Sequence, residues 1–305
     1  MRLISLQLTL YTKMIDAIIA QWENGTCDYA AILSDPHFQA MLSHAQDFQK
    51  TELNASDYLH DLLHIDGIDM QDHLAEIRRN LAIIRSVDLE QIALEVQGYL
   101  PESAYSGREV QICPMIGIAG LALDGFIVID PSPCPWFPAD GSNRDAYLSG
   151  FILPTLRHEL HHVGYKRLHE THRTAALITR PDLALDYAQQ FQMEGSARLC
   201  QWQQRIGTLD EPAYLKLRGA FRHHYDRIQE WLRTPGQPVG QEDWNAYYAL
   251  WSGDKPVYWL GQSLCTLLIQ RGAIHSVAEF TQMEPLGMMQ AARACLCETQ
   301  QKTDA

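Results

Sequence analysis

The chain has 305 residues, 46% of them hydrophobic and 20% charged, an ordinary globular composition that excludes disorder and low complexity as its main theme. Lys and Arg number 24 against 37 Asp and Glu, a net charge of −13, which is the wrong sign for a surface that tracks phosphates and sets aside nucleic-acid and anionic-membrane binding. A chain of this length buries enough surface to fold without a disulfide or a structural metal.

The seven Cys (Cys27, Cys113, Cys134, Cys200, Cys265, Cys295 and Cys297) form no CxxC pair and no regular framework. Free thiols in a reducing cytoplasm are therefore expected. No window of 18 apolar residues occurs, so no spanning helix is expected. The start, Met1-Arg2 followed by alternating Leu, Ile, Ser and Gln, lacks the apolar core of a signal peptide.

In chain order, Ile4, Leu6, Leu8 and Leu10 alternate with polar residues and predict a half-buried strand. Tyr11, Ile15, Ile18, Ile19 and Trp22 then follow helical spacing, with Gly25 as a stop. Residues 28 to 66 read as short helices separated by Asp35-Pro36 and Asn54-Ala55-Ser56. Met70 to Gln97 reads as a longer helical stretch with a break near Ser86-Val87-Asp88, carrying Leu74, Ile77, Leu81 and Ile84 on one face. Val110 to Ile116 and Phe126 to Asp130 predict strands, with Gly117, Gly120 and the Asp124-Gly125 turn between them. Residues 131 to 143, with four Pro, read as a loop. Beyond them the pattern is helical. One helix is expected from Pro154 to about 170, with Tyr147 to Leu153 as its lead-in, because Pro fits only a first turn. Further helices are expected at 182–206, 211–233, 241–252, 255–272, 275–282 and 285–300. Strand, helices, small sheet and many helices imply an α+β fold, mainly helical.

Within the Pro154 helix lies Arg157-His158-Glu159-Leu160-His161-His162, an H-E-x-x-H sequence. Positions four apart share a helix face, so His158 and His162 can converge on one zinc ion. Glu159 is placed as general base toward a water whose acidity the metal raises. His161 lies about 100° around the helix from His162, which favours packing or a supporting hydrogen bond over ligation.

Two schemes compete for the third ligand. The metzincin pattern needs Gly three and His six residues after the second ligand. Here those positions are Tyr165 and Leu168, with Gly164 and His169 each displaced by one, so the pattern fails. The gluzincin pattern needs a Glu on a later helix. Glu194, in Phe191-Gln192-Met193-Glu194-Gly195-Ser196-Ala197, sits among apolar residues where a lone carboxylate is costly. The competing possibility is an exposed helical acid. Gly195 and Ala197 are expected to let this helix pack closely on the first. His169, Glu170 and His172 read as a solvated cluster past the helix end, and His60 with His64, at helical spacing but without an obvious third ligand, as surface or core-packing residues.

His158-Glu159-Leu160-His161-His162 followed by Glu194-Gly195-x-Ala197 resembles families of uncharacterised bacterial proteins of the gluzincin zinc-protease type. Val257-Tyr258-Trp259-Leu260-Gly261 is similar to a late Tyr- and Gly-bearing helix of those families, and the strand pair before the zinc helix to their small sheet. The resemblance spans roughly residues 105 to 285. It implies a zincin-like fold, zinc held by His158, His162 and Glu194, and hydrolase activity, without naming a substrate. Tyr258 is a candidate oxyanion donor; core packing beside Trp259 is the alternative, and Tyr247, Tyr248, His223 and His224 are rivals.

The expected organisation is an N-terminal α-rich part, 1–104, with a leading strand, folded against a zincin-like part, 105–305. The expected function is zinc-dependent hydrolysis of a peptide or protein substrate, held along a strand from within 115–130. A non-catalytic zinc scaffold, or a hydrolase of other amides or esters, are the alternatives. Oligomeric state is not readable from the sequence.

Overall fold

The computed structural model describes residues 6–26, 28–49, 53–63, 69–117, 120–132, 144–169, 179–204 and 206–303. The expectations that concern Ile4, Cys27, His64, Cys134, Glu170, His172 and most of the Pro-rich 131–143 segment lie outside these residues.

Strand β1 (Gln7–Leu10) leads into helices α1 (Lys13–Asn24), α2 (Tyr29–Leu33), α3 (Pro36–Gln49), α4 (Ala55–Leu63), α5 (Met70–Arg85) and α6 (Leu89–Gln97). Strands β2 (Glu109–Pro114), β3 (Gly120–Leu123) and β4 (Phe126–Ile129) follow. The rest is helical: α7 (Arg144–Tyr147), α8 (Leu153–Leu168), α9 (Arg180–Gln201), α10 (Glu211–Arg233), α11 (Gln241–Tyr248), α12 (Pro256–Gln270), α13 (Val277–Gln282) and α14 (Pro285–Thr303). A mainly helical α+β chain with one small sheet is the architecture expected.

The chain divides into two compact units, 1–94 with 106–163, and 95–105 with 164–305. In the first, the strand order is β1-β2-β4-β3. β1, β2 and β4 are parallel, and β3 is antiparallel to β4 with Gly120 opposite Ile129. A parallel neighbour requires a crossover, which the six helices between β1 and β2 supply. β4 is buried at every position, as a central strand should be, whereas β3 is an edge strand. Ile15 and Ile18 of α1, Phe38 and Met41 of α3, Ile77 and Leu81 of α5, and Cys113 and Val128 of the sheet form one core. Gly25 closes α1 in the left-handed conformation at φ 63°, which glycine adopts without a Cβ penalty. Asp69 caps α5 by accepting from the N–H groups of Gln71 and Asp72.

Two local readings need correction. β3 was expected to be connection, but four residues of it pair with β4; a four-residue strand that opens on Gly has too little alternation to show in sequence. The lead-in before Pro154 is not separate either. α7, a π-helical turn over Leu148–Ile152 and α8 run on continuously, with the Leu153 N–H donating to the Leu148 carbonyl. Pro154 lacks an N–H and its ring crowds the carbonyl four residues back, and the wider turn just before it accommodates both.

In the second unit, α9 begins at a capping box of Thr179 and Asp182 and is buried over most of its surface. Tyr187 and Phe191 of α9, Phe221, Ile228 and Trp231 of α10, and Leu260 and Leu264 of α12 share its core. α9 and α12 meet at glycines. A Cβ on Gly195 would stand 2.2 Å from the Gly261 carbonyl carbon, and one on Gly261 would stand 2.0 Å from the Phe191 oxygen. Gly195 is therefore small because of α12, not because of the H-E-x-x-H helix as expected. Asp243 is the polar hub: it accepts from Gly240 N–H, Trp231 Nε1 at 2.8 Å and Arg180 Nε at 3.1 Å.

Candidate metal centre

α8 places His158 and His162 one turn apart, with ring centroids 4.4 Å from each other and planes at 83°. Both are buried, as is Glu194 of α9 at 7% exposure. His158, His162 and Glu194 each offer one ligand atom, and these three atoms all lie within 4.8 Å of one another. Among the described residues this is the one group of three or more His, Cys, Asp or Glu so arranged. Ligand atoms held at 2.0–2.1 Å by one tetrahedral ion stand about 3.3 Å apart. Two neutral imidazoles and one carboxylate are a suitable donor set for a divalent cation of zinc's type. Glu194 is thus a buried acid and not an exposed one, and a buried carboxylate is stable only when paired or ligating.

Glu159 is buried and stands outside the triad. Its carboxylate lies against the first residue of β3: a Cβ built on Gly120 would be 2.7 Å from Glu159 Oε1 and 2.9 Å from Thr155 Cγ2. Gly120 was read only as a turn residue. Its signal was available, because a glycine in a strand marks a close approach, but which group approaches was not.

His161 is fully buried and is not part of the triad. α8 continues past Gly164 to Leu168, so the sharp turn of the metzincin pattern does not form. Gly164 instead makes room for Tyr105 and Leu100, whose atoms would lie 2.5 and 2.6 Å from a Cβ there. The expected solvated end is corrected at His169, which is buried, stacks on Tyr165 and bonds through Nε2 to the Thr281 carbonyl at 2.7 Å. Its peptide-carbonyl partner holds it in place after two further turns of helix.

Tyr258 is half-buried on α12, one turn before Gly261, and packs on the core of its unit. Three of its rivals are engaged elsewhere. Tyr247 donates to Asp186, Tyr248 stacks on Trp244, and His224 Nδ1 pairs with the Tyr187 hydroxyl at 2.7 Å. Burial, with the neighbouring His223, pushes His224 down to about 4. His223 faces solvent. His60 is likewise an exposed surface residue.

No protein-family model, characterised protein or solved structure matches the chain. No helix among the described residues is long and apolar enough to cross a membrane.

Proposed function

We propose that the protein is a zinc-dependent hydrolase of the gluzincin kind, acting on peptide bonds. The observation that carries this reading is the buried convergence of His158, His162 and Glu194 with Glu159 beside it and not in it. His158 and His162 would hold the ion through imidazole nitrogens and Glu194 through a carboxylate oxygen. When bound, zinc supplies Lewis acidity toward water and a carbonyl oxygen. Glu159 takes a proton from the attacking water at a carboxylate oxygen and delivers it to the leaving amine. Gly120 lets that carboxylate lie against the backbone of β3, so the base is held by packing as well as by its own helix.

A peptide substrate is favoured because β3 is the edge of the sheet and opens against Glu159. An extended chain added along it by β-augmentation would present its amides beside the base. Tyr258 is the candidate donor to the developing oxyanion, supported by its place one turn from the Gly261–Gly195 crossing next to Glu194. Three converging protein ligands, among the described residues, favour a catalytic site over a structural one, which closes with four. The buried free thiols Cys113 and Cys265 fit a reducing, cytoplasmic setting.

The test is digestion of a mixed peptide library by zinc-loaded protein and by Glu159→Gln, with amide and ester substrates in parallel. New peptide termini from the first and none from the second are expected. Turnover of esters but no peptides would move the assignment to a non-peptide hydrolase, and no turnover at all would favour a zinc scaffold.

A further inference from the structure

A second site, independent of the metal centre, lies in the first unit. A cavity of about 560 Å³ opens beyond the carboxyl ends of β2 and β4, two adjacent parallel strands, where Gly117 and Asp130 emerge. That is where sheets with parallel strands characteristically hold ligands. Asp61, Asp69, Asp72, Glu76 and Asp130 line it, and none of the lining residues among those described is Lys or Arg. Asp69, the N-cap of α5, is followed at spacings of three, four and seven by Asp72, His73 and Glu76 of the helix, which share one face. Like charges at such spacings destabilise a helix, and the dipole of the α5 N-terminus offsets this only for the first turn. His73 also lines the cavity, is 6% exposed, and its Nε2 has no hydrogen-bond partner. A buried imidazole nitrogen without a partner in the native fold calls for a ligand group to satisfy it.

We propose that this cavity binds an alkylammonium or guanidinium group, the head of a lysine or arginine side chain or of a free polyamine. Five carboxylates and an imidazole nitrogen are a lining rich in acceptors, and such cations are donors only. A single small metal ion fits less well. Among the described residues, only His158, His162 and Glu194 bring three ligand atoms within 4.8 Å, so the cavity carboxylates stand too far apart to share one. A guanidinium, or a polyamine with ammonium groups along its length, spreads its N–H donors and bridges such separations, while a single ammonium reaches two of the carboxylates. Asp130 is already fixed, accepting from the N–H groups of Gly117 at 2.8 Å and Ser132 at 2.7 Å. Burial raises its carboxyl despite these bonds and the nearby His73.

The experiment is calorimetric titration of the full chain, stripped of metal with a chelator, at low salt and neutral pH. The probes are spermidine, Nα-acetyl-lysinamide, Nα-acetyl-argininamide and the neutral isostere Nα-acetyl-norleucinamide. Saturable binding of at least one cation is expected, none of the isostere, and binding about tenfold weaker in both Glu76→Gln and Asp130→Asn. Glu76 supports no described bond, so Glu76→Gln should fold. Asp130→Asn keeps an acceptor oxygen for only one of the Gly117 and Ser132 N–H groups, which bond to different carboxylate oxygens, and Glu76→Gln alone decides the test if that variant does not fold. Tighter binding of the amino-acid amides would assign the site to a peptide side chain, and tighter spermidine to a free polyamine. Equal binding of the isostere, no binding, or undiminished affinity in both variants overturns the proposal. So does calcium chloride that binds tighter than every amine and loses affinity in the same variants. Because the metal is removed throughout, failure here leaves the hydrolase reading untouched.

Discussion

Gly120 and Glu159 share space that only a glycine leaves open: a Cβ at position 120 would stand 2.7 Å from Glu159 Oε1. The proposed base is therefore positioned by an edge strand as well as by its helix. Gly120→Ala is expected to displace the Glu159 side chain, which is the flexible partner, while leaving the triad in place. Peptide hydrolysis should fall by about tenfold to a hundredfold, since small misplacements of a catalytic group carry penalties of that order, with zinc content unchanged. An alanine variant with wild-type kcat would show that this contact does not position the base.

For Tyr258, Phe substitution is expected to lower kcat by roughly 10²–10³ if the hydroxyl serves the oxyanion, with KM and metal content little changed. Equal turnover of the two proteins would return Tyr258 to the packing role its half-buried place in the core also allows.

The α9–α12 crossing has no room for a methyl group. Gly261→Ala places its Cβ 2.0 Å from the Phe191 oxygen, and backbone cannot step aside as a side chain can. Destabilisation of about 3 kcal/mol or more is expected, at the upper end for overpacking. Because Gly195 adjoins Glu194, zinc affinity should fall as well. Urea unfolding and zinc competition with a chromogenic chelator measure the two effects; a variant as stable as wild type would contradict the close crossing.

Acid sensitivity is expected from His224. Its folded-state value of about 4 lies below the ordinary 6.5, mainly through burial. The unfolded chain binds this proton between pH 6.5 and 4 and the folded chain does not, so stability falls as pH drops through that window. The shift corresponds to about 3 kcal/mol, with the loss complete below about pH 4. Wild type should lose stability relative to His224→Gln across the window, followed by urea midpoints at each pH. Parallel pH profiles would contradict a buried neutral imidazole.

Asp243 joins Arg180 and Trp231 and is 2% exposed. Burial works to raise its carboxyl, and the bonds from Gly240, Trp231 and Arg180 outweigh it and hold it below the usual range. Removing it with Asp243→Ala leaves a buried indole N–H and a guanidinium without their acceptor, and a loss of about 3 kcal/mol is expected. Thermal unfolding checks this; an unchanged midpoint would contradict it.

Much of this arrangement was legible in the sequence because the signals were local. Gly25, the 86–88 break and the helices from 211 onward are written in caps and 3.6-residue spacing. His158 and His162 follow from helical geometry alone. Glu194 was legible as a carboxylate stranded in an apolar run. The illegible parts are pairwise and distant. β3 is too short to alternate, Gly195 answers to a glycine far along the chain, Gly261, and His169 is held by a carbonyl on α13. The cavity at Asp130 and His73 was equally hidden, since it assembles from α5 and two strand ends that no spacing connects.

Whether His158, His162 and Glu194 hold one zinc ion is tested most directly by metal analysis of zinc-repleted, desalted protein and its variants. About one zinc per chain is expected in wild type and in Glu159→Gln, with loss in His162→Ala and Glu194→Ala. No stoichiometric zinc in the wild type, or full retention in Glu194→Ala, would contradict the His158–His162–Glu194 centre.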